Sequence, residues 1–135
     1  MDDALKREIM AALLADKPKA ITDRSHEIGA TSGINFIFKS GAQQMLPYGH
    51  VITARLLYHD NGTEMDILFS SHVVTVLGSG LEPIYEAFLN QTLKTVIELK
   101  KQHIAALPKG SPFVTEIMIN ERDKHTRKSP YNANK

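Results

Sequence analysis

The sequence contains no cysteine and no tryptophan. Without cysteine, disulfides, thiolate metal sites and thiol nucleophiles are excluded from the 135-residue chain. It also has no apolar run near the roughly 18 residues that a membrane-spanning helix needs. Residues 1–20 lack the basic start and continuous apolar core of a signal peptide. We therefore expect a cytoplasmic protein with no membrane span.

Charge is unevenly distributed along the chain. Residues 121–135 hold five Lys/Arg and two Asp/Glu, a net of +3, whereas the remaining 120 residues hold eleven and thirteen, a net of −2. The near absence of apolar residues predicts that residues 121–135 form a basic, disordered tail. The length of residues 1–120 suits a single domain.

Apolar spacing predicts two helices. Residues 82–106 carry a broad apolar stripe and are followed by Pro108 and Gly110, which end helices. A shorter helix is predicted over residues 3–15, where the apolar stripe consists of Ala4, Leu5, Ile9, Ala12 and Leu13. Residues 19–33 are glycine-containing and polar, and are predicted to form a loop.

Short strands are predicted between the helices, over residues 34–77. One hairpin turns at Ser40-Gly41, and a second is marked by Asn61-Gly62, the strongest short hairpin signal. The next apolar run, residues 72–78, follows too closely for a parallel crossover and should pair antiparallel. A last alternating segment, residues 112–120, is predicted as an edge strand.

These elements define an α+β fold. We expect an antiparallel meander of four to six strands, with the long helix on one face and the short N-terminal helix elsewhere. This order of elements is similar to that of a pleckstrin-homology-like barrel, although no motif supports the comparison, and fold does not settle function.

The second hairpin has a testable register. A two-residue turn at Asn61-Gly62 makes paired positions sum to 123. One face is then wholly apolar and belongs to the core, with the pairs Tyr58–Met65, Leu56–Ile67 and Ala54–Phe69. The other face is mixed, with the pairs His59–Glu64, Leu57–Asp66 and Arg55–Leu68.

The mixed face is the first candidate site. Apolar residues on an outward face indicate a surface that something covers, either the N-terminal helix, a protein partner or a second copy of the chain. We predict that Arg55, Leu57, Asp66 and Leu68 bind a protein partner or mediate self-association.

Gly78-Ser79-Gly80 is the second candidate, because an apolar run, a glycine turn and a helix can bind phosphate. However, Pro83 stands where a dinucleotide motif needs glycine, and Glu82 places negative charge at the anion position. A turn is the favoured interpretation, and a phosphate-ligand protein or enzyme centred on residues 78–82 is an alternative.

The basic tail is the third candidate. Lysine and arginine bind nucleic-acid phosphates without reading sequence. The residues in question are Arg122, Lys124, Arg127 and Lys128.

Six histidines are present, but none shows metal-ligand spacing such as H-x-x-x-H. His59, Glu64, Asp66 and Arg55 are the best cluster for acid–base chemistry, and mixed charges also occur commonly on solvated sheet faces. We therefore expect neither metal nor cofactor, and favour a non-catalytic interaction or regulatory module over an enzyme.

Overall fold

A computed structural model describes residues 24–122. The helix expected at residues 3–15 and residues 123–135 of the expected tail lie outside this range. Of the described residues, 53% are in strands and 16% are helical. Eight strands form two four-stranded sheets.

The strands in chain order are β1 (His26–Ile28), β2 (Gly33–Ile37), β3 (Gln43–Pro47), β4 (Val51–His59), β5 (Gly62–Phe69), β6 (His72–Ser79), β7 (Leu93–Ile97) and β8 (Phe113–Glu121). The helices are α1 (Glu82–Leu89) and α2 (Lys101–Ala105), with a single 3₁₀ turn at Tyr48–His50. Sheet I has the order β1-β7-β2-β3, and sheet II has the order β4-β5-β6-β8. Neighbouring strands are antiparallel except β2 and β7, which are parallel.

The predicted α+β class, with its long C-terminal helix and pleckstrin-homology-like order, is wrong: the fold is mostly β. Helix α1 stops at Leu89 because Gln91 adopts the left-handed conformation, with φ 58°. The N–H of Gln91 donates to Phe88 O and that of Thr92 to Ala87 O, both at 2.9 Å. This is the Schellman arrangement that ends helices, usually with glycine at the left-handed position.

The residues after this turn form β7 instead of more helix. β7 lies inside sheet I between β1 and β2, and Leu93, Val96 and Ile97 are fully buried. Neighbouring residues of a strand project to opposite faces, so the buried Val96 and Ile97 show that both faces of β7 are covered at this end. The spacing 93, 96, 97 also fits a helix, so the pattern alone could not separate the two.

Both sheets and α1 share one hydrophobic core. Each fully buried aliphatic or aromatic side chain stabilises the fold by about 1.5–3 kcal/mol relative to exposure. Core side chains include Ile34 and Phe36 from sheet I, Met65, Ile67, Phe69, Val74 and Val76 from sheet II, and Ile84 and Phe88 from α1.

The β4–β5 hairpin forms, with a register two residues from the predicted one. Leu56 pairs with Met65, and His59 pairs with Gly62, so the turn residues are 60 and 61. A shift of two keeps every side chain on its face, since side chains alternate with a period of two. Five of the six residues predicted for the core face lie in or against the core, namely Ala54, Leu56, Met65, Ile67 and Phe69. The sixth, Tyr58, is 65% exposed, so the prediction is wrong for this residue.

Secondary structure was also predicted for three other segments. The turn at Ser40-Gly41 connects β2 and β3, and Gly41 has φ +92°. The loop predicted over residues 19–33 is wrong for residues 26–28, which form β1 beside β7. The strand expected at residues 112–120 corresponds to β8, at the edge of sheet II. No helix within residues 24–122 has the length and apolarity needed to cross a membrane.

Candidate functional site: the outer face of sheet II

Residue pairing places twelve side chains in three rows across the face of sheet II that points away from the core. Paired residues of neighbouring strands project to the same face. From β4 to β8, the rows are Leu57, Glu64, Leu77 and Glu116; Arg55, Asp66, Thr75 and Met118; and Thr53, Leu68, Val73 and Asn120. We call this surface the outer face. It combines five apolar side chains with three carboxylates and one guanidinium.

A groove of about 330 Å³ runs along the outer face. Three of the predicted partner-binding residues, Arg55, Asp66 and Leu68, line it, whereas Leu57 lies one row away. Val73 also lines the groove and is 38% exposed. The structure thus brings the predicted residues together on one accessible surface.

Arg55 and Asp66 form an ion pair across β4 and β5. Arg55 Nε donates to Asp66 Oδ2 at 3.1 Å, and the Arg55 side chain is 68% exposed. An exposed pair of this kind stabilises a fold by only about 0–1 kcal/mol. The second oxygen, Asp66 Oδ1, is buried and has no hydrogen-bond partner within the described part of the chain.

Asp66 and Glu64 affect each other's ionisation. Burial raises the pKa of Asp66, and the adjacent Glu64 carboxyl raises it further, while Arg55 opposes the shift. The pKa of Glu64 is lowered, first by the neighbouring Asp66 carboxyl and then by a hydrogen bond with His59, whose Nε2 lies 2.7 Å from Glu64 Oε1.

These shifts have opposite effects on stability. The folded chain holds the Asp66 proton more tightly than the unfolded chain, so its contribution is full below the ordinary Asp pKa and is lost as pH rises through the raised pKa. Glu64 contributes above the ordinary Glu pKa, and its contribution is lost as pH falls through the lowered pKa.

The predicted His59–Glu64 contact occurs, but diagonally. His59 is paired with Gly62 along the strands, and its side chain reaches past this glycine to Glu64. The predicted Arg55–Leu68 pairing is replaced by Arg55–Asp66, and Leu57 is paired with Glu64. The structure therefore shows two separate polar contacts between β4 and β5, of which the Arg55–Asp66 pair lines the groove.

Gly78-Ser79-Gly80 contributes to strand pairing and to a turn. Gly78 and Ser79 end β6 and pair with Val114 and Phe113 of β8. Gly80 has φ +62°, which turns the chain toward α1. The next amide, that of Leu81, donates to Thr63 Oγ1 at 3.1 Å and is therefore engaged within the fold.

Of the predicted nucleic-acid contacts, the structure describes Arg122 alone. Its backbone N–H donates to Ser71 O at 2.9 Å, next to the end of β8. Lys124, Arg127 and Lys128 lie outside the described residues. Nucleic-acid binding by the tail stays a prediction.

Sequence reasoning missed the β8 side of the outer face. Glu116, Met118 and Asn120 complete the three rows because β8 pairs with β6. The alternation of polar and apolar residues in β8 is visible in the sequence. The identity of its partner strand β6, more than 30 residues earlier, is not.

Comparisons of the chain with protein-family models, with curated proteins and with solved structures found no match. Among residues 24–122, no three His, Asp or Glu side chains are grouped so that they could hold a metal ion.

Proposed function

We propose that the chain is a non-catalytic interaction module that binds a protein partner through the outer face of sheet II. The observation that carries this proposal is the groove, which lies on a sheet face whose apolar side chains have no role in the core. Leu68 and Val73 pair directly across β5 and β6 and lie along the groove. Covering apolar surface stabilises a complex by about 25 cal/mol per Å² removed from water.

The charges on this face define the chemistry of the partner. Glu64, Asp66 and Glu116 outnumber Arg55, so the outer face carries more acidic than basic side chains. Protein interfaces commonly combine an apolar centre with a polar rim. We therefore expect a partner segment with apolar side chains flanked by lysine or arginine.

The test is Leu68→Glu in the full chain. The side chain points away from the core, so circular dichroism and the melting temperature should stay close to those of the parent protein. Met45→Glu is the matched control, because Met45 is 57% exposed in sheet I. Each protein is used to capture partners from a native lysate treated with nuclease, and its mass is measured by sedimentation.

We expect Leu68→Glu to lose the captured protein and Met45→Glu to retain it. Capture that survives Leu68→Glu would contradict the proposal. Capture that disappears after nuclease treatment would favour the basic tail and nucleic acid instead. A dimer that Leu68→Glu alone converts to a monomer would make a second copy the partner.

A further inference from the structure

We propose that residues 3–15 of the same chain dock on the outer face of sheet II in the free protein, so that a partner binds by displacing them. The inference rests on the proposed function for the role of this face in binding. It adds a regulatory contact built into the chain.

The described part of the chain begins close to the edge of sheet II that β8 forms. Ser25 is buried, and its Oγ accepts the N–H of Val114 at 2.8 Å, while its carbonyl oxygen accepts the N–H of Ile97 at 2.7 Å. Val114 belongs to β8, the edge strand of sheet II. Ser25, near the start of the described residues, therefore lies beside this edge. Glu116 and Met118, farther along β8, already lie on the outer face.

The lengths of the segments match the surface. Residues 16–23 span up to about 26–29 Å when extended. Four strands measure about 14 Å from the first axis to the last. A helix formed by residues 3–15 would be about 20 Å long. The segment can thus cross the β8 edge and cover all three rows.

The chemistry of the segment complements the face. The predicted stripe of residues 3–15 supplies the apolar side chains Leu5, Ile9 and Leu13 to the groove. Residues 3–15 contain two Lys/Arg, Lys6 and Arg7, and two Asp/Glu, Asp3 and Glu8, so their net charge is zero. The apolar stripe, and not net charge, therefore complements the apolar side chains of the outer face.

Tethering favours this segment over other occupants. A short linker gives an attached segment a millimolar effective concentration. A second copy of the chain at micromolar concentration cannot compete unless it binds much more tightly. The contact of residues 3–15 with the outer face of the same chain can therefore be weak and still be formed in most molecules of the free protein.

The absence of cysteine allows a clean test in the full chain. A single Ala11→Cys substitution, off the predicted stripe, carries a nitroxide label, and amide relaxation is measured on the ¹⁵N-labelled protein. We expect enhanced relaxation at Leu68, Val73 and Thr75, and little at Ile28 and Met45 of sheet I. A groove without enhancement would overturn the proposal.

Two further samples separate the possible occupants. Mixing nitroxide-labelled ¹⁴N protein with unlabelled ¹⁵N protein reports contacts between molecules, so groove enhancement in that mixture would overturn the cis contact in favour of a second copy. Ile9→Asp, on the predicted stripe, should abolish the enhancement in the labelled protein. Leu14→Asp, on the opposite side of the predicted helix, should retain it. Equal behaviour of the two variants would contradict docking through the stripe, and unchanged sheet I amide signals confirm folding.

The experiment also distinguishes failure of this inference from failure of the proposed function. Relaxation enhancement with partner capture that survives Leu68→Glu would support the cis contact and overturn the partner surface. No enhancement, with capture lost in Leu68→Glu, would overturn the cis contact and support the partner surface.

Discussion

Replacing Gly78 with alanine should destabilise the fold by about 2–4 kcal/mol. Gly78 lies in β6 opposite Val114 of β8, where the register between the two strands shifts. A methyl group at Gly78 would overlap the carbonyl oxygen of Phe113 and lie 3.0 Å from Val114 Cα. Both atoms belong to the backbone, so no side-chain rotation relieves the overlap. The two strands must move apart.

The magnitude follows from what this movement disrupts. Overpacking that shifts backbone costs about 1–3 kcal/mol. Each backbone hydrogen bond weakened nearby costs about 1 kcal/mol more. Val114 is fully buried in the core, so its packing also loosens.

Equilibrium urea unfolding measures the effect. The chain has no tryptophan, so far-ultraviolet ellipticity is the appropriate signal. Gly49→Ala is the matched control, because an added methyl group there meets no atom within 4 Å. It should leave stability unchanged or raise it by about 0.4–1 kcal/mol. Equal unfolding midpoints for the two variants, at unchanged slope, would refute the close approach of β6 and β8 at Gly78.

Two further substitutions test other features. Gln91→Gly should raise stability by up to about 1 kcal/mol. A side chain in the left-handed region costs about 1–2 kcal/mol, and part of the relief is offset because glycine loses more conformational entropy on folding. Thermal unfolding measures the stability change, with Gln102→Gly in α2 as the control, which should lose up to about 1 kcal/mol. A loss of stability at both positions would contradict backbone strain at Gln91. Asp66→Asn should gain stability relative to the parent as pH rises from about 4 to 7, since ionisation of Asp66 is disfavoured in the fold. Urea unfolding at both pH values measures this difference, with Asp60→Asn in the exposed turn as the control. If the stability difference between Asp66→Asn and the parent protein were the same at both pH values, the reasoning would be contradicted.

The outer face could be located from the sequence because it depends only on alternation. Asn61-Gly62 identified the hairpin, and the apolar residues of one face identified the core side. The turn instead uses residues 60 and 61, although Asn-Gly is the stronger turn signal. Gly62 begins β5, where an added Cβ would overlap the carbonyl oxygen of Gly78, so glycine is needed there for close strand approach. The resulting shift of two changes the pairs, for example Arg55 with Asp66, but not the faces.

The C-terminal half could not be predicted because its decisive feature is a glutamine in an uncommon conformation. Gln91 ends α1 where glycine or proline would have signalled an end. The following residues then insert between β1 and β2, a pairing with strands more than 50 residues away. Long-range pairing of this kind overrides local helix preference, and no local pattern reports it.

The composition of the outer face is itself an argument for a covering segment. Leu57, Leu68, Val73, Leu77 and Met118 gain little from the fold, because they lie on the side of sheet II away from the core. Beside them, Asp66 Oδ1 is buried and has no hydrogen-bond partner among residues 24–122, and burial disfavours the ionised form of this carboxyl. Both features become favourable once a segment with apolar and basic side chains lies over the groove, since apolar area is removed from water and the carboxylates of this face gain cationic neighbours. Residues 3–15 supply apolar side chains of this kind, and a partner needs the same ones, so the proposed docking implies competition between the two for one face.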